Sequence, residues 1–392
     1  MKPRILFYCQ HVLGMGHMVR SREIVRGLTD FDVCFVNGGE PVEGFAFPSS
    51  VRVVQLPPIR SDAAFLAIDA TEAVKAERAR ILLALLDEVD PDVAVIEMFP
   101  FGRRKFAFEL IPFLEEIRRR GKRTRVVSSV RDILVGKRDQ ARHEEQACGW
   151  LNEYFDLVMV HADPRFQQLG ETFLRAAEIR CAISYTGFVA EPCAVTARPA
   201  AETRRAATPD RIRLIASAGG GRVGFPLLSA AVAASRQLAS WLAHDLVVFT
   251  GPYLSAGEFS QLAALAEDAP WIRLERFAPD FVDQMAAADL LLSMAGYNTC
   301  MNILTTGVKA LVLPFTGNQN EEQTIRARKL AALGLLGVLT EAGLEPVALA
   351  ARISQALAAP PPAAVAEPLN LNGVAATAAL LERVAGGAVA HV

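Results

Sequence analysis

The sequence predicts an α/β protein of two Rossmann-like domains, each a parallel sheet covered by helices on both faces, the two facing one another across a cleft. Three observations carry that expectation. The 392 residues exceed one typical core, and two domains of roughly 150–200 residues are the default at this length. Short apolar runs alternate with longer helical patterns from end to end, and strands apolar on both faces joined by helices belong to covered parallel sheets. One stretch, "AEPCAVTARPAAETRRAATPD" at 190–210, is polar, Ala/Pro-rich and aperiodic, and the alternation restarts after it.

In the first half the strands are expected at 4–9, 32–36, 51–55, 92–97, 125–129, 157–160 and 181–185, with helices near 17–29, 66–89, 105–120, 138–153 and 165–177. The second half opens with strand 211–217, helix 225–242, strand 246–250, helix 256–267 and strand 271–274. It continues through helix 280–287, strand 289–293, helix 297–306, strand 310–313, helix 322–332, strand 336–339 and helix 346–357. "AAPPPAAVAEP" at 358–368 breaks the pattern before a last helix near 373–386. The domains are therefore expected at 1–189 and 211–368, with 190–210 as linker and 369–392 as a C-terminal helix packing back on the first domain. No short repeat period is visible, so a solenoid is excluded.

Bulk composition narrows the function classes. Hydrophobic residues make up 52% of the chain, ample for two buried sheets. With 41 basic and 43 acidic residues the net charge is −2, which argues against nucleic acid as an obligatory partner. The six cysteines, at 9, 34, 148, 181, 193 and 300, show no CxxC or Cys/His spacing, so neither zinc nor a disulfide framework is expected and a reducing cytosol fits best. No signal peptide precedes the first strand, and no apolar stretch reaches the ~20 residues that span a bilayer. The expected location is cytoplasmic, as a soluble protein or one peripheral on the inner face of the membrane.

Ligands of open parallel sheets gather at the carboxyl ends of the strands. Four loops at such ends stand out. The first, "QHVLGMGHMVRS" at 10–21, puts Gly14 and Gly16 in a strand-to-helix turn and His17 at the helix entry. A neutral imidazole, with an ordinary pKa near ~6.5, is suited to accept a proton there; capping the helix is the plain alternative. His11 reads equally as a packed loop histidine. The second, "SAGGGRVGF" at 217–225, has Gly219, Gly220 and Gly221 followed by Arg222 and a helix, a natural cradle for phosphate or diphosphate. The third, "SMAGYNTCMN" at 293–302, sets Gly296, Tyr297, Asn298 and Thr299 at a helix start, where Asn and Thr either cap the helix or meet phosphate oxygens. The fourth, "LPFTGNQNEEQTIRARKL" at 313–330, opens a helix with Glu321, Glu322 and Gln323, which suit the helix dipole and also suit sugar hydroxyls.

In this order the four elements resemble the GT-B glycosyltransferases, most closely the MurG-like family that uses nucleotide sugars. The likeness is best over 211–340 and 4–30. "FAPDFVDQMAAADLLLSMAGYNTCMNILTTGVKALVLPF" (277–315) resembles that family's donor-domain signature, "GYNT" (296–299) is similar to the Gly-Trp-Asn-Ser piece of the plant-type donor motif, and "GMGH" resembles the family's glycine-rich turn ending in histidine. The resemblance implies a GT-B fold and an inverting, metal-independent transfer of sugar from a nucleotide-diphosphate sugar, UDP-sugar first, to an acceptor hydroxyl of a glycan, glycolipid or natural product. It implies His17 as the base, Gly219, Gly220, Gly221 and Arg222 facing the diphosphate, Phe277 against the nucleotide base, and Gly296, Tyr297, Asn298 and Thr299 at phosphate. It further implies Glu322 and Gln323 reading the sugar, with Glu322 open to trading places with Glu321. One departure is Asn302, where a ribose-binding glutamate usually stands; it loses a charge-assisted bond and leaves the nucleotide open.

The rest of the N-terminal half diverges. His11, Gly14, Gly16, Glu97, Arg131 and Asp132 are expected on the acceptor side, structural ion pairs being the alternative for the charged ones. The strings Asp30-Phe31-Asp32 and Asp90-Pro91-Asp92 sit at helix-to-strand junctions and read as caps, so no metal and no cofactor are expected. "FPFGRRKFAF" (99–108) interleaves Phe with three cations and suggests docking on an anionic membrane. A sugar-nucleotide 2-epimerase, a nucleotide-sugar hydrolase and a non-catalytic sugar-nucleotide binder are the rival readings. A dinucleotide oxidoreductase is disfavoured, because the first turn lacks a full GxGxxG and Asn37-Gly38-Gly39 replaces the acidic end of the second strand.

Overall fold

A computed structural model describes residues 2–387 except 12–13, 43–44, 62–66, 69, 122, 137–138, 194–210, 318–320 and 363–366. Most of the expected linker, 194–210, thus lies outside the described residues. The chain divides into two compact units, one of Met1–Val189 with Leu369–Val392, the other of Ala190–Pro368.

Unit 1 holds a seven-stranded sheet, all of whose pairings are parallel, in the order β3-β2-β1-β6-β7-β8-β9. Its strands are β1 (Arg4–Cys9), β2 (Asp32–Asn37), β3 (Arg52–Gln55), β6 (Val93–Glu97), β7 (Arg125–Arg131), β8 (Leu157–His161) and β9 (Ala182–Tyr185); β4 (Arg60–Ser61) and β5 (Ala67–Ile68) form a small antiparallel pair. The helices are α1 (Gly16–Arg26), α2 (Glu72–Val89), α3 (Ala107–Arg119) and α4 (Gln140–Tyr154). Ile5, Phe7, Phe35, Val95, Val127 and Met159 fill one core and are buried because both faces of each central strand are covered. The C-terminal helix α11 (Gly373–Ala385) adds Leu380, Leu381 and Val384 to that core. Gly27 closes α1 directly beneath Val374, so a side chain at 27 would collide with it.

Unit 2 repeats the plan with a six-stranded parallel sheet in the order β12-β11-β10-β13-β14-β15. The strands are β10 (Ile212–Ser217), β11 (His244–Phe249), β12 (Ile272–Glu275), β13 (Leu290–Met294), β14 (Ala310–Leu313) and β15 (Gly337–Val338). The helices are α5 (Phe225–Leu238), α6 (Ala256–Leu265), α7 (Phe281–Ala286), α8 (Tyr297–Thr306), α9 (Glu322–Ala332) and α10 (Pro346–Ala358). Aspartates ahead of strands tie neighbours together: Asp92 accepts from Arg4 N, Asp156 from Val126 N and Asp289 from Arg213 N, each at 2.8 Å. The Asp90-Pro91-Asp92 string is such a junction, Asp90 sitting at the left-handed C-cap of α2.

Two expected helices differ. The segment 165–177 is not an α-helix, although Phe166, Leu169 and Phe173 are buried at helical spacing. It forms short 3₁₀ turns at Leu169–Glu171 and Ala176–Glu178. Its backbone is taken up by side chains: Gln168 and Glu171 cap one another and Glu144 accepts from Arg175 N. The helix expected at 66–89 begins at Glu72, where Thr71 accepts from Val74 N.

Candidate functional site

In a doubly wound sheet the crevice for ligands lies where the strand order reverses. In unit 1 that point is between β1 and β6, which run side by side from Ile5↔Val93 to Tyr8↔Ile96. The loop after β1 leads into α1, whose second residue is His17, and β6 ends at Glu97. The two ends meet: His17 Nδ1 is 2.7 Å from Glu97 Oε1. Arg20, one turn further along α1, donates Nη2 to the same oxygen. Glu97 is fully buried and Arg20 nearly so, while His17 keeps 17% of its side chain exposed.

Burial raises the Glu97 carboxyl, but contact with His17, then Arg20 and Arg103, outweighs it and holds the group at about 2. Burial lowers His17, Glu97 pulls it back up, Arg103 and Arg131 push it down again, and it settles at about 3. At neutral pH the carboxylate is therefore charged and the imidazole neutral. An ionised carboxylate only accepts, so Nδ1 carries the ring proton and Nε2 is left as an acceptor, the form a general base needs. Glu97, expected among acceptor-lining residues, is instead buried behind His17 as its orienting partner. Arg20 was missed by the sequence reading, although its i,i+3 spacing from His17 is the signal that would have found it.

The remaining acceptor-side residues separate by burial. His11 is buried against Gly39, and Gln10 Nε2 donates to its carbonyl, so it is a packed loop histidine. Gln10 is itself held by the buried Arg78, which is bonded to Glu109 by two nitrogens. Gly14 has open space where a Cβ would stand, and Gly16 is exposed at the helix start. Asp132 is fully buried and cannot line a surface; Arg131, half-buried beside it, can. Of the four phenylalanines in the stretch expected to dock on a membrane, Phe99, Phe101 and Phe106 are buried in the core and Phe108 is half-buried. Among the described residues no helix is long and apolar enough to cross a membrane.

In unit 2 the order reverses between β10 and β13. The glycine turn follows β10 and α8 follows β13. Gly219 (φ +60°) is exposed with nothing near its Cβ position, and Gly220 is half-buried beside Tyr253. Gly221 (φ +92°) is buried against Thr250 O and Leu254 N and gives its N–H to Ala218 O at 3.2 Å. Thus Gly219 and Gly220 form the surface of the turn and Gly221 closes it. Arg222 is exposed, its guanidinium 5.0 Å over the Tyr253 ring. At α8 the N-cap is Gly296, which itself supplies no side-chain cap to the first turn at Tyr297, Asn298 and Thr299, and the positive end of a helix dipole suits an anion. Asn298 and Thr299 are half-buried there.

Tyr297 is buried under Arg326, whose guanidinium lies 5.5 Å from the ring centroid. Arg326, fully buried, donates to Ala295 O at 3.2 Å and to Glu322 at 2.8 Å. Glu322 is therefore buried in an i,i+4 pair rather than turned outward, and Glu321 is the exposed carboxylate of the turn. Gln323 Oε1 accepts from Phe315 N at 3.0 Å. Residues 318–320 of this loop lie outside the described residues. Asn302 is buried, with Nδ2 3.4 Å from Glu191 Oε1. Phe277 is 47% exposed beyond β12. Arg326 was the second residue that sequence reading passed over. Among the described residues no group of three or more His, Cys, Asp or Glu is placed to hold a metal ion.

Residues 218–379 match the glycosyltransferase family 28 C-terminal domain. Over 141 residues, 36% of this chain, the sequence is 27% identical to the UDP-N-acetylglucosamine–N-acetylmuramyl-(pentapeptide) pyrophosphoryl-undecaprenol N-acetylglucosamine transferase of Agrobacterium fabrum, and the match spans 37% of that enzyme. Among solved structures, the calicheamicin glycosyltransferase CalG4 superposes with a TM-score of 0.63 at 18% identity, over 98% of this chain and 99% of that one. MurG of Acinetobacter baumannii does so with a TM-score of 0.54 at 16% identity, over 96% and 94%. At such identities the likeness is one of fold, two parallel-sheet α/β domains of seven and six strands. The chain has the GT-B glycosyltransferase fold, and its residues 218–379 match the glycosyltransferase family 28 C-terminal domain.

Proposed function

We propose that this chain is an inverting glycosyltransferase that moves a sugar from a nucleotide-diphosphate sugar, UDP-sugar first, to an acceptor hydroxyl. The observation that carries the reading is the His17–Glu97 pair: an imidazole whose Nδ1 lies 2.7 Å from a buried carboxylate, which leaves Nε2 as the nitrogen able to accept a proton. The acceptor O–H gives its proton to Nε2 as its oxygen bonds to the anomeric carbon. The bond from that carbon to the diphosphate oxygen breaks, and its electron pair leaves with the nucleotide. Glu97 stabilises the imidazolium that forms. The first-turn N–H groups of α8 and the exposed face of the Gly219–Gly220 turn receive the diphosphate charge, in the manner of preorganised dipoles. The family 28 domain supports the donor half of this reading, and the enzyme from Agrobacterium fabrum supports UDP as the first nucleotide to test.

Any docking on an anionic membrane would rest mainly on cations such as Arg104 and Lys105, because three of the four neighbouring phenylalanines are buried.

The test is a thermal-shift panel of nucleoside diphosphates and their sugars, followed by product analysis with the stabilising donor. Stabilisation by one sugar nucleotide, and His17→Gln that still binds it yet no longer turns it over, are the expected results. No shift with any nucleotide at millimolar levels would remove the donor assignment. A donor isomerised at its sugar, with no nucleotide released, would favour the epimerase reading.

A further inference from the structure

The glycine turn after β10 leans on a second turn, residues 250–254, which leaves β11 and leads to α6. That second turn is tied at both ends. Thr250 N donates to Glu275 O at 2.8 Å and Gly251 N to Arg276 O at 3.0 Å, and at the far end Ser255 and Glu258 cap one another to start α6. Gly251, at φ +80°, lies directly on the glycine turn: a side chain there would collide with Gly219 O and Gly221 N. Only a glycine lets the two backbones nest so closely. Tyr253 completes the contact. Its N–H donates to Gly220 O at 3.0 Å, and Cδ2 of its ring stands 3.6 Å from where a Cβ on Gly220 would be.

The Tyr253 ring therefore has a fixed place beside Gly220, and Arg222 rests on it, with its guanidinium carbon 5.0 Å from the ring centroid. Arg222 is exposed, and among the described residues it makes no hydrogen bond and no ion pair. Arg276, on the other side of the same turn, differs: it lies 4.5 Å over the Phe259 ring and also gives Nη1 to Leu254 O at 3.4 Å. An aromatic face attracts a guanidinium through its π electrons and takes up none of its N–H donors, so the fork of Arg222 is kept for a further partner. Such a fork matches phosphate oxygens in a bidentate manner. A long exposed side chain loses rotamer freedom when it binds, and a ring that already holds it in place lowers that cost.

We propose that Tyr253 is a positioning residue for the donor: its ring holds Arg222 ready, beside Gly219 and Gly220, for the diphosphate. The ring touches the guanidinium and the turn, and acts on the ligand through Arg222. This inference rests on the donor reading above, and its test includes pyrophosphate alone so that the two fail separately.

The full-length chain is titrated with inorganic pyrophosphate and, in a second arm, with UDP, by calorimetry at constant pH and ionic strength. Arg222→Gln is expected to weaken both about tenfold, as loss of a charge-assisted bond requires. Tyr253→Leu, which keeps the backbone bond to Gly220 O, weakens both about threefold, and Tyr253→Phe, which keeps the ring, less than twofold. In the Arg222→Gln background Tyr253→Leu has no further effect. A Tyr253 that merely supported the turn would lower affinity equally in both backgrounds, and that result overturns the proposal. So does a wild type that fails to bind pyrophosphate at millimolar levels, or an equal loss in Arg236→Gln, which removes an exposed charge from the last turn of α5. Pyrophosphate binding with the expected pattern but no UDP binding speaks against the nucleotide donor and leaves Tyr253 its role. UDP binding indifferent to Arg222→Gln and Tyr253→Leu overturns that role and leaves the donor reading standing.

Discussion

Replacing Glu97 by Gln tests the link between the fold of unit 1 and its chemistry. The carboxylate is fully buried and receives both His17 Nδ1 and Arg20 Nη2. Glu97→Gln removes its charge at nearly constant volume and leaves the buried Arg20 without its counter-ion. Breaking a buried pair from one side costs about 3–5 kcal/mol, and the amide oxygen that still accepts a bond puts the expected loss near the lower figure. Since about 1.4 kcal/mol is a factor of ten, exchange of the β6 amides by global opening of unit 1 accelerates roughly a hundredfold. Hydrogen exchange is the suitable assay because it reports on this unit separately from the other. The chemical effect is distinct. A glutamine amide can donate to Nδ1 and so favour the tautomer whose Nε2 already bears a proton. Turnover of the donor then falls by about 10²–10⁴, the range for a positioned base, while UDP affinity is unchanged. Unaltered exchange in β6 together with turnover within a few-fold of wild type would refute the pairing as described.

Four further outcomes follow from the same geometry. Because the folded pKa of His17 is lowered to about 3, the base stays neutral as pH falls through the ordinary ~6.5, and donor turnover holds between pH 7 and 5 where a free imidazole would titrate. Stability moves with pH in a definable way: between about 3 and ~6.5 the unfolded chain binds protons that folded His17 and His161 exclude, so the melting temperature declines as pH drops below ~6.5. The Glu97 contribution, full above its ordinary carboxylate range, is lost in addition as pH falls toward about 2. Gly221→Ala combines a left-handed φ of +92° with a collision against Thr250 O and lowers both the melting temperature and nucleotide affinity, whereas Gly219→Ala, in open space at φ +60°, costs only the ~1–2 kcal/mol of a left-handed alanine. Arg326→Met strands Glu322 and frees the Ala295 carbonyl ahead of α8, destabilising unit 2 by about 3 kcal/mol or more and weakening UDP binding, measured by calorimetry.

Much of the fold was legible because its signals are local. Apolar runs such as Ile5-Leu6-Phe7-Tyr8 declare covered strands, and glycines at 14, 16, 219–221 and 296 mark the turns that follow them. The misreading at 165–177 has the opposite origin. Phe166, Leu169 and Phe173 carry helical spacing, yet Glu144 on another helix takes the Arg175 N–H and Thr172 Oγ1 accepts from Leu134 N, so tertiary bonds replaced the helical ladder. Glu322 suffered similarly: at a helix start it reads as an outward carboxylate, and only its burial with Arg326 reveals where it points.

By itself the sequence determined the two rounds of strand and helix, the glycine turns at their carboxyl ends and the identity of His17 as a base candidate, because each depends on residues a few positions apart. Tertiary structure alone decided what His17 touches. Strand order placed β6 beside β1, which brought Glu97 from 80 positions away onto Nδ1 and gave Arg20 the same carboxylate oxygen. A proton-accepting nitrogen is made by its neighbours' charges and by exclusion of water, and pairings between distant strands leave no periodic trace along the chain.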